Sequence, residues 1–127
     1  MLFVACGILR KDTHYLIAQR SADESQFPLK WEFPGGKKNS GESGEECIIR
    51  ELEEELGIQV RVVSLFHRSE KETATFHYYC VEWVSGEISL VDHEQVRWVP
   101  VEDLKDYDML DVDLEVVSML EKSIENR

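Results

Sequence analysis

Residues 43–57, SGEECIIRELEEELG, constrain the fold of this chain more than any other stretch. Ser43 followed three residues later by Glu46 forms a capping box, and Gly57 is a natural helix-terminating glycine, so a helix is expected between them. Advancing about 100° per residue puts Ile48, Ile49, Leu52 and Leu56 on one face, which must be the core face. Glu46 and Glu53 then point to solvent. Glu51, Glu54 and Glu55 fill a third sector, because spacings of three and four stack side chains on neighbouring turns, and Glu55 borders the apolar face. Carboxylates gathered this way repel by about 0.2–0.5 kcal/mol per exposed pair, and more when desolvated. Two readings are open at this point. One is a solvated acidic face; the other is a hard-cation site, whose all-oxygen donors select Mg²⁺ or Mn²⁺ over zinc.

The flanking sequence supplies a sheet for that helix. LFVACGIL (2–9) and YLIAQR (15–20) read as two strands joined by the polar turn RKDTH. SADESQFPLK is loop-like and leads into WEFPGGKKNSGE, punctuated by Pro34, Gly35, Gly36 and Gly41. After the helix, IQVRVVSLFHR and ATFHYYCVEWV are β-branched and aromatic, as long strands are. EQVRWVPV gives a short strand and VEDLKDY a helical turn. In DVDLEVVSMLEKSIEN, the apolar residues Leu114, Val117, Leu120 and Ile124 recur at helical spacing. The predicted order is β-β-loop-α-β-β-β-α, an α/β (α+β) arrangement in which helices cover a mixed sheet. One domain spanning 1–127 is expected from length, with no repeat or linker to divide it.

A net charge of −12 leaves no basic stripe for a nucleic-acid polymer. The same charge opposes small phosphorylated ligands unless a cation stands between, which favours the metal reading of the acidic sector. MLFVACGILRKD lacks a basic leader and a small-residue cleavage site, so it reads as a strand rather than a signal peptide. No run approaches the roughly 18 apolar residues of a membrane span. Cys6, Cys47 and Cys80 are odd in number and form no C-x-x-C, so reduced thiols and a cytoplasmic setting are expected.

From Gly36 the chain reads five residues, Glu42, seven residues, then Arg50-Glu51-Leu52-Glu53-Glu54-Glu55-Leu56-Gly57-Ile58. This is G-x5-E-x7-R-E-U-x-E-E-x-G-U, with U apolar, matched at every position. It resembles the Nudix box of the Nudix hydrolases, and the element order is similar to that family's α/β/α sandwich. The resemblance implies an enzyme that cuts the pyrophosphate of a nucleoside diphosphate derivative with water and divalent metal, Mg²⁺ or Mn²⁺. It also implies that Glu51, Glu54 and Glu55 are metal ligands, joined by the carbonyl of Gly35. Arg50 would orient them, and Glu42 would close the loop onto the helix or bind an outer metal. The general base differs between members of the family. Here it would be a box glutamate, Glu54 or Glu51, or Asp92 or Glu94 in VDHEQVRW, with Asp92 better spaced from Trp98.

WEFPGGK, RWV before PVEDL, and an acidic residue opening the last helix look most like the MutT branch, which converts nucleoside triphosphates to monophosphate and pyrophosphate. Carried over, Lys37 and Arg20 would meet phosphate oxygens, and Asp113 would face the base. An ionised carboxylate only accepts hydrogen bonds, which suits guanine N1–H and N2–H₂; as an alternative, Asp113 caps the last helix. Tyr78 or Trp31 would stack on the base. The substrates expected are 8-oxo-dGTP-like or CTP/5-methyl-dCTP-like nucleotides, in pool sanitation, with the protein a monomer or homodimer. Two alternatives are a Nudix hydrolase for another nucleoside diphosphate derivative and a non-catalytic nucleotide sensor, although sensors usually lose box glutamates that this chain keeps.

Overall fold

The computed structural model describes residues 2–125, with side chains to Ser123. Ten elements follow in order: β1 (Leu2–Lys11), β2 (His14–Gln19), β3 (Trp31–Glu32), β4 (Gly35–Lys37), α1 (Gly44–Leu56), β5 (Gln59–Glu70), β6 (Ala74–Ser85), β7 (Gln95–Pro100), a 3-10 helix (Val101–Asp106) and α2 (Asp111–Glu125). Every element expected from the sequence is present, and two short strands, β3 and β4, are added within WEFPGGK. They form two compact units, one of residues 1–9 and 34–91, the other of residues 10–33 and 92–127.

In the first unit the strand order is β4-β1-β6-β5. β1 runs parallel to β6, from Leu2 opposite Ala74 to Leu9 opposite Val81, and antiparallel to β4. The sheet is therefore mixed. From Ala5 to Leu9 every β1 side chain is buried, so both faces of the strand are covered, as a parallel pair requires. Gly7 faces α1: a Cβ there would lie 3.1 Å from Leu52 Cδ1, so its bare backbone makes the seat on which Leu52 and Ile48 rest. The helix begins as the sequence requires. Ser43 Oγ accepts from the Glu46 amide, and Glu46 Oε1 accepts from the Ser43 amide at 2.8 Å. It ends at Gly57 with φ 71°. Its buried residues are Cys47, Ile48, Leu52 and Leu56. Ile49, expected in the core, is only half-buried and Cys47 takes its place, because the Cys47 thiol turns inward to donate to the Gly36 carbonyl.

In the second unit β2 is central, antiparallel to β3 on one side and to β7 on the other. The β1–β2 turn is tighter than expected. Arg10 pairs with Tyr15 and Lys11 with His14, leaving only Asp12 and Thr13 to turn, with Asp12 at φ 57°. α2 buries Val116, Val117 and Leu120, whereas Leu114, expected on that face, is 47% exposed. The face turned by one residue because Asp113 is drawn inward, its Oδ2 accepting from the Phe33 amide at 3.0 Å. The Ile124 side chain lies outside the described residues. No helix among the described residues is long and apolar enough to cross a membrane.

Candidate active site

The acidic sector of α1 is organised around one guanidinium. Arg50 receives Glu42 as a bidentate partner, Nε donating to Oε2 at 3.0 Å and Nη2 to Oε1 at 2.7 Å. Nη1 donates to Glu51 Oε1 at 2.9 Å and to Glu54 Oε2 at 3.0 Å, and Nη2 also donates to the Lys37 carbonyl at 3.0 Å. Two carboxylates of the sector thus converge on one positively charged nitrogen, and each keeps its second oxygen. This donor set, all oxygen and on one helix edge, fits a hard cation completed by waters and phosphate. As the side chains stand, no three acidic, histidine or cysteine groups among the described residues close around one point. Glu51 and Glu54 lean toward Arg50.

The environments of the carboxylates differ. Glu51 is 13% exposed and Glu54 59% exposed, while Glu55 is half-buried at the border of the apolar face. Glu42 is held well below the usual carboxylate range, at about 2, first by Arg50 and then by the Asn39 amide. Arg50 is raised in turn, chiefly by Glu42. Of the two roles left open for Glu42, the structure displays loop closure: Oε1 accepts from the Asn39 amide at 2.8 Å, and the Lys38 ammonium donates to the Glu42 carbonyl. Burial pushes the Cys47 thiol up to about 11, so it stays protonated. Above the sector lies β4. A Cβ on Gly36 would stand 2.4 Å from the Glu51 carboxylate, and one on Gly35 only 1.9 Å from the Ala5 carbonyl oxygen. Gly35 pairs with Cys6 and Lys37 with Val4, and the Lys37 side chain is exposed.

The second unit carries the other expected residues. Arg20 Nη1 donates to Glu32 Oε1 at 3.0 Å, and its Nη2 donates to the Gln26 carbonyl at 3.1 Å and to Glu24 at 3.4 Å. Glu94 is exposed, but its Oε1 accepts from the Ala22 amide at 2.9 Å. Asp92 is exposed, and its carboxylate makes no such bond among the described residues.

Three expectations need correction. Tyr78 is fully buried and Trp31 is 8% exposed, packed edge-on against Tyr107, so neither ring offers a face to a base. Asp113 is 1% exposed and bonded to the Phe33 amide, so it acts as a strut rather than an open base reader. It is not the helix cap either, because its own amide already donates to the Leu110 carbonyl within the first turn.

The sequence reading also missed a cluster. His93, 6% exposed, lies with Nε2 2.9 Å from Glu32 Oε2, on the same carboxylate that holds Arg20. The available signal was Glu32 itself, a carboxylate between two aromatics in WEF, in a segment short of any other reason to be polar.

A NUDIX domain model matches residues 1–120. The 8-oxo-dGTP diphosphatase of Escherichia coli K12 is 38% identical over 90 residues, covering 68% of this chain and 70% of that protein. The CTP pyrophosphohydrolase of the same organism is 31% identical over 118 residues, covering 90% and 87%. A solved structure of MutT, from Aliivibrio salmonicida or Vibrio cholerae, matches with a TM-score of 0.81 at 29% identity, covering 94% of this chain and 95% of that one. The mixed α+β fold is therefore the Nudix fold. With Glu42, Glu51 and Glu54 of the box bonded to Arg50 and the family match across nearly the whole chain, this protein belongs to the Nudix family and is a Nudix hydrolase.

Proposed function

We propose that this protein hydrolyses a nucleoside triphosphate to the monophosphate and pyrophosphate, with Mg²⁺ or Mn²⁺ as cofactor, and that 1–127 acts as one domain. The observation that carries the reading is the convergence of Glu51 and Glu54 on a single cationic nitrogen, with Glu55 one position further along the same helix. Nudix hydrolases generally use divalent metal ions, and these three carboxylates with the Gly35 carbonyl would hold one. When bound, such an ion neutralises phosphate charge, polarises the attacked phosphorus and lowers the pKa of a water.

The remaining steps belong to side chains. Arg50 orients Glu51 and Glu54, itself pinned by Glu42. Asp92 takes the proton from the attacking water; Glu94 is disfavoured because one of its oxygens is engaged by the Ala22 amide. Arg20 and Lys37 meet phosphate oxygens. Asp113, through the Phe33 amide, supports the base region from behind. The names of the relatives, an 8-oxo-dGTP diphosphatase and a CTP pyrophosphohydrolase, support a purine or pyrimidine triphosphate as substrate, and the first of them a role in clearing oxidised nucleotides.

The test is a panel of 8-oxo-dGTP, dGTP, CTP, 5-methyl-dCTP and ADP-ribose with Mg²⁺, scored for pyrophosphate or phosphate release. Turnover of a triphosphate with pyrophosphate as product is expected. Glu54→Gln should lower it by about 10³-fold with the melting temperature unchanged, since the side chain is exposed. Hydrolysis of ADP-ribose alone moves the protein to the diphosphate-derivative reading. Nucleotide binding without any turnover defeats the enzymatic assignment.

A further inference from the structure

The Glu32–His93 bond spans the second unit's sheet in an unusual place. Glu32 is on β3 and His93 precedes β7, so the two flank β2 from opposite sides. Between them stands Ala18, paired with Glu32 on one side and Val96 on the other, and paired residues of antiparallel strands project from the same face. A one-carbon side chain at position 18 leaves room for Glu32 and His93 to meet above it. Arg20, two residues on, projects from that face too and takes the other oxygen of Glu32.

Both ends of this chain of contacts are incompletely satisfied. His93 Nδ1 and Arg20 Nε are buried and have no hydrogen-bond partner among the described residues. The carboxylate of Glu32 accepts, so His93 Nε2 carries the proton. Among the described residues its bond to Glu32 is then the one polar tie that fixes the ring, and whatever His93 does passes through Glu32. On the far side, the Arg20 guanidinium is fixed by its two terminal nitrogens, while Nε–H is left as a donor that an ordered water or a substrate oxygen would satisfy.

We infer that His93 is a positioning residue: acting through Glu32, it sets the Arg20 guanidinium for the substrate phosphates and holds in place the segment that carries Asp92. The inference rests on the roles proposed above for Arg20 and Asp92. His93 adjoins Asp92 in sequence, and its neighbours reinforce the same attachment. Glu94 bonds the Ala22 amide, and Gln95 Nε2 donates to Gln19 Oε1 at 2.8 Å. Three consecutive side chains thus fasten residues 93–95, next to Asp92, to the strands and loop around Arg20. Arg20 passes the restraint on to the Gln26 carbonyl, in a loop where Phe27 and Leu29 are held at positive φ.

The test compares His93→Phe, which keeps the ring volume and removes the donor, with His93→Gln, which restores an N–H near Nε2. Steady-state kinetics use the panel triphosphate turned over fastest. His93→Phe should raise KM and lower kcat by about tenfold each, the first from a loosened Arg20 and the second from a displaced Asp92. His93→Gln should return both to within about threefold of wild type, and His93→Phe added to Glu32→Gln should change little more than Glu32→Gln alone. Independently of turnover, hydrogen exchange at Arg20 Nε–H and the Leu29 amide should quicken about tenfold in His93→Phe and not in His93→Gln. Unchanged exchange, a Gln variant no better than Phe, or Glu32 and His93 effects that multiply would each overturn the inference. An inert wild-type enzyme whose exchange still responds would sink the proposed activity and leave the relay standing.

Discussion

Replacing Gly36 by alanine places a Cβ 2.4 Å from Glu51 Cδ and Oε2, in space that the carboxylate now fills. The obstacle is the far end of a flexible side chain, so Glu51 swings away and gives up its bond to Arg50 Nη1. Hydrogen bonds to charged groups contribute about 1.5–3 kcal/mol. Here the pair is part-exposed and Arg50 retains Glu42, Glu54 and the Lys37 carbonyl, so the loss is about 1 kcal/mol. About half of that is offset by the smaller chain entropy of alanine in the unfolded state. The melting temperature should therefore move by no more than about 4 °C. Activity should fall by about 10²-fold, the scale of a 1 Å misplacement of a catalytic group.

The same substitution one residue earlier behaves differently. A Cβ on Gly35 would stand 1.9 Å from the Ala5 carbonyl oxygen and 2.8 Å from Cys6 Cα, both backbone. No rotamer relieves this, so β4 must leave β1. Overpacking costs about 1–3 kcal/mol and each lost ladder bond about 1 more, which makes about 4 kcal/mol and a fall of about 15 °C in melting temperature. Circular dichroism melts of both variants, with kinetics on Gly36→Ala, check this. Equal destabilisation by the two, or wild-type kcat in Gly36→Ala, would refute the placement of Glu51 beneath Gly36.

Asp92→Asn should lower kcat by about 10²–10⁴-fold, whereas Glu94→Gln, which keeps an acceptor for the Ala22 amide, should retain most of it; the reverse order in initial rates reassigns the base. Ser43→Ala removes one half of the capping box and should cost about 1 kcal/mol in denaturant unfolding. Glu42 titrates far below its usual value, so the stability that it contributes is complete above about pH 4.5 and is lost as pH falls toward about 2. The stability difference between wild type and Glu42→Gln should accordingly be flat above pH 5 and close at about pH 2, followed by urea unfolding across that range.

What could be read from the sequence was what is decided locally. The caps of α1, which depend on residues three or four positions apart, stand as expected, and Glu51 and Glu54 meet at Arg50. Errors arose where the deciding partner is remote. Asp113 is buried because its acceptor role is met by an amide 80 residues earlier, and this turned Leu114 outward. Cys47 displaced Ile49 from the core face because the Gly36 carbonyl offered its thiol a partner. β3 and β4 are two and three residues long, too short for any periodicity, and exist through pairing with Ala18–Gln19 and Val4–Cys6. His93 and Glu32 are 61 residues apart, so the carboxylate in WEF could be noticed from the sequence but its partner could not.

The parallel pairing of β1 with β6 also sets a timetable for synthesis. Leu2 finds its neighbour in Ala74 and Leu9 in Val81, so β1 leaves the ribosome well ahead of β6, the strand that satisfies that edge. Non-local parallel pairing of this kind is slow and leaves an apolar edge exposed in the interim. A nascent chain arrested before Ala74 would hold α1 and its carboxylates without the sheet partner that fixes β1. Such truncated chains should be chaperone clients and protease-sensitive, and α1 should become orderly only once residue 81 has emerged.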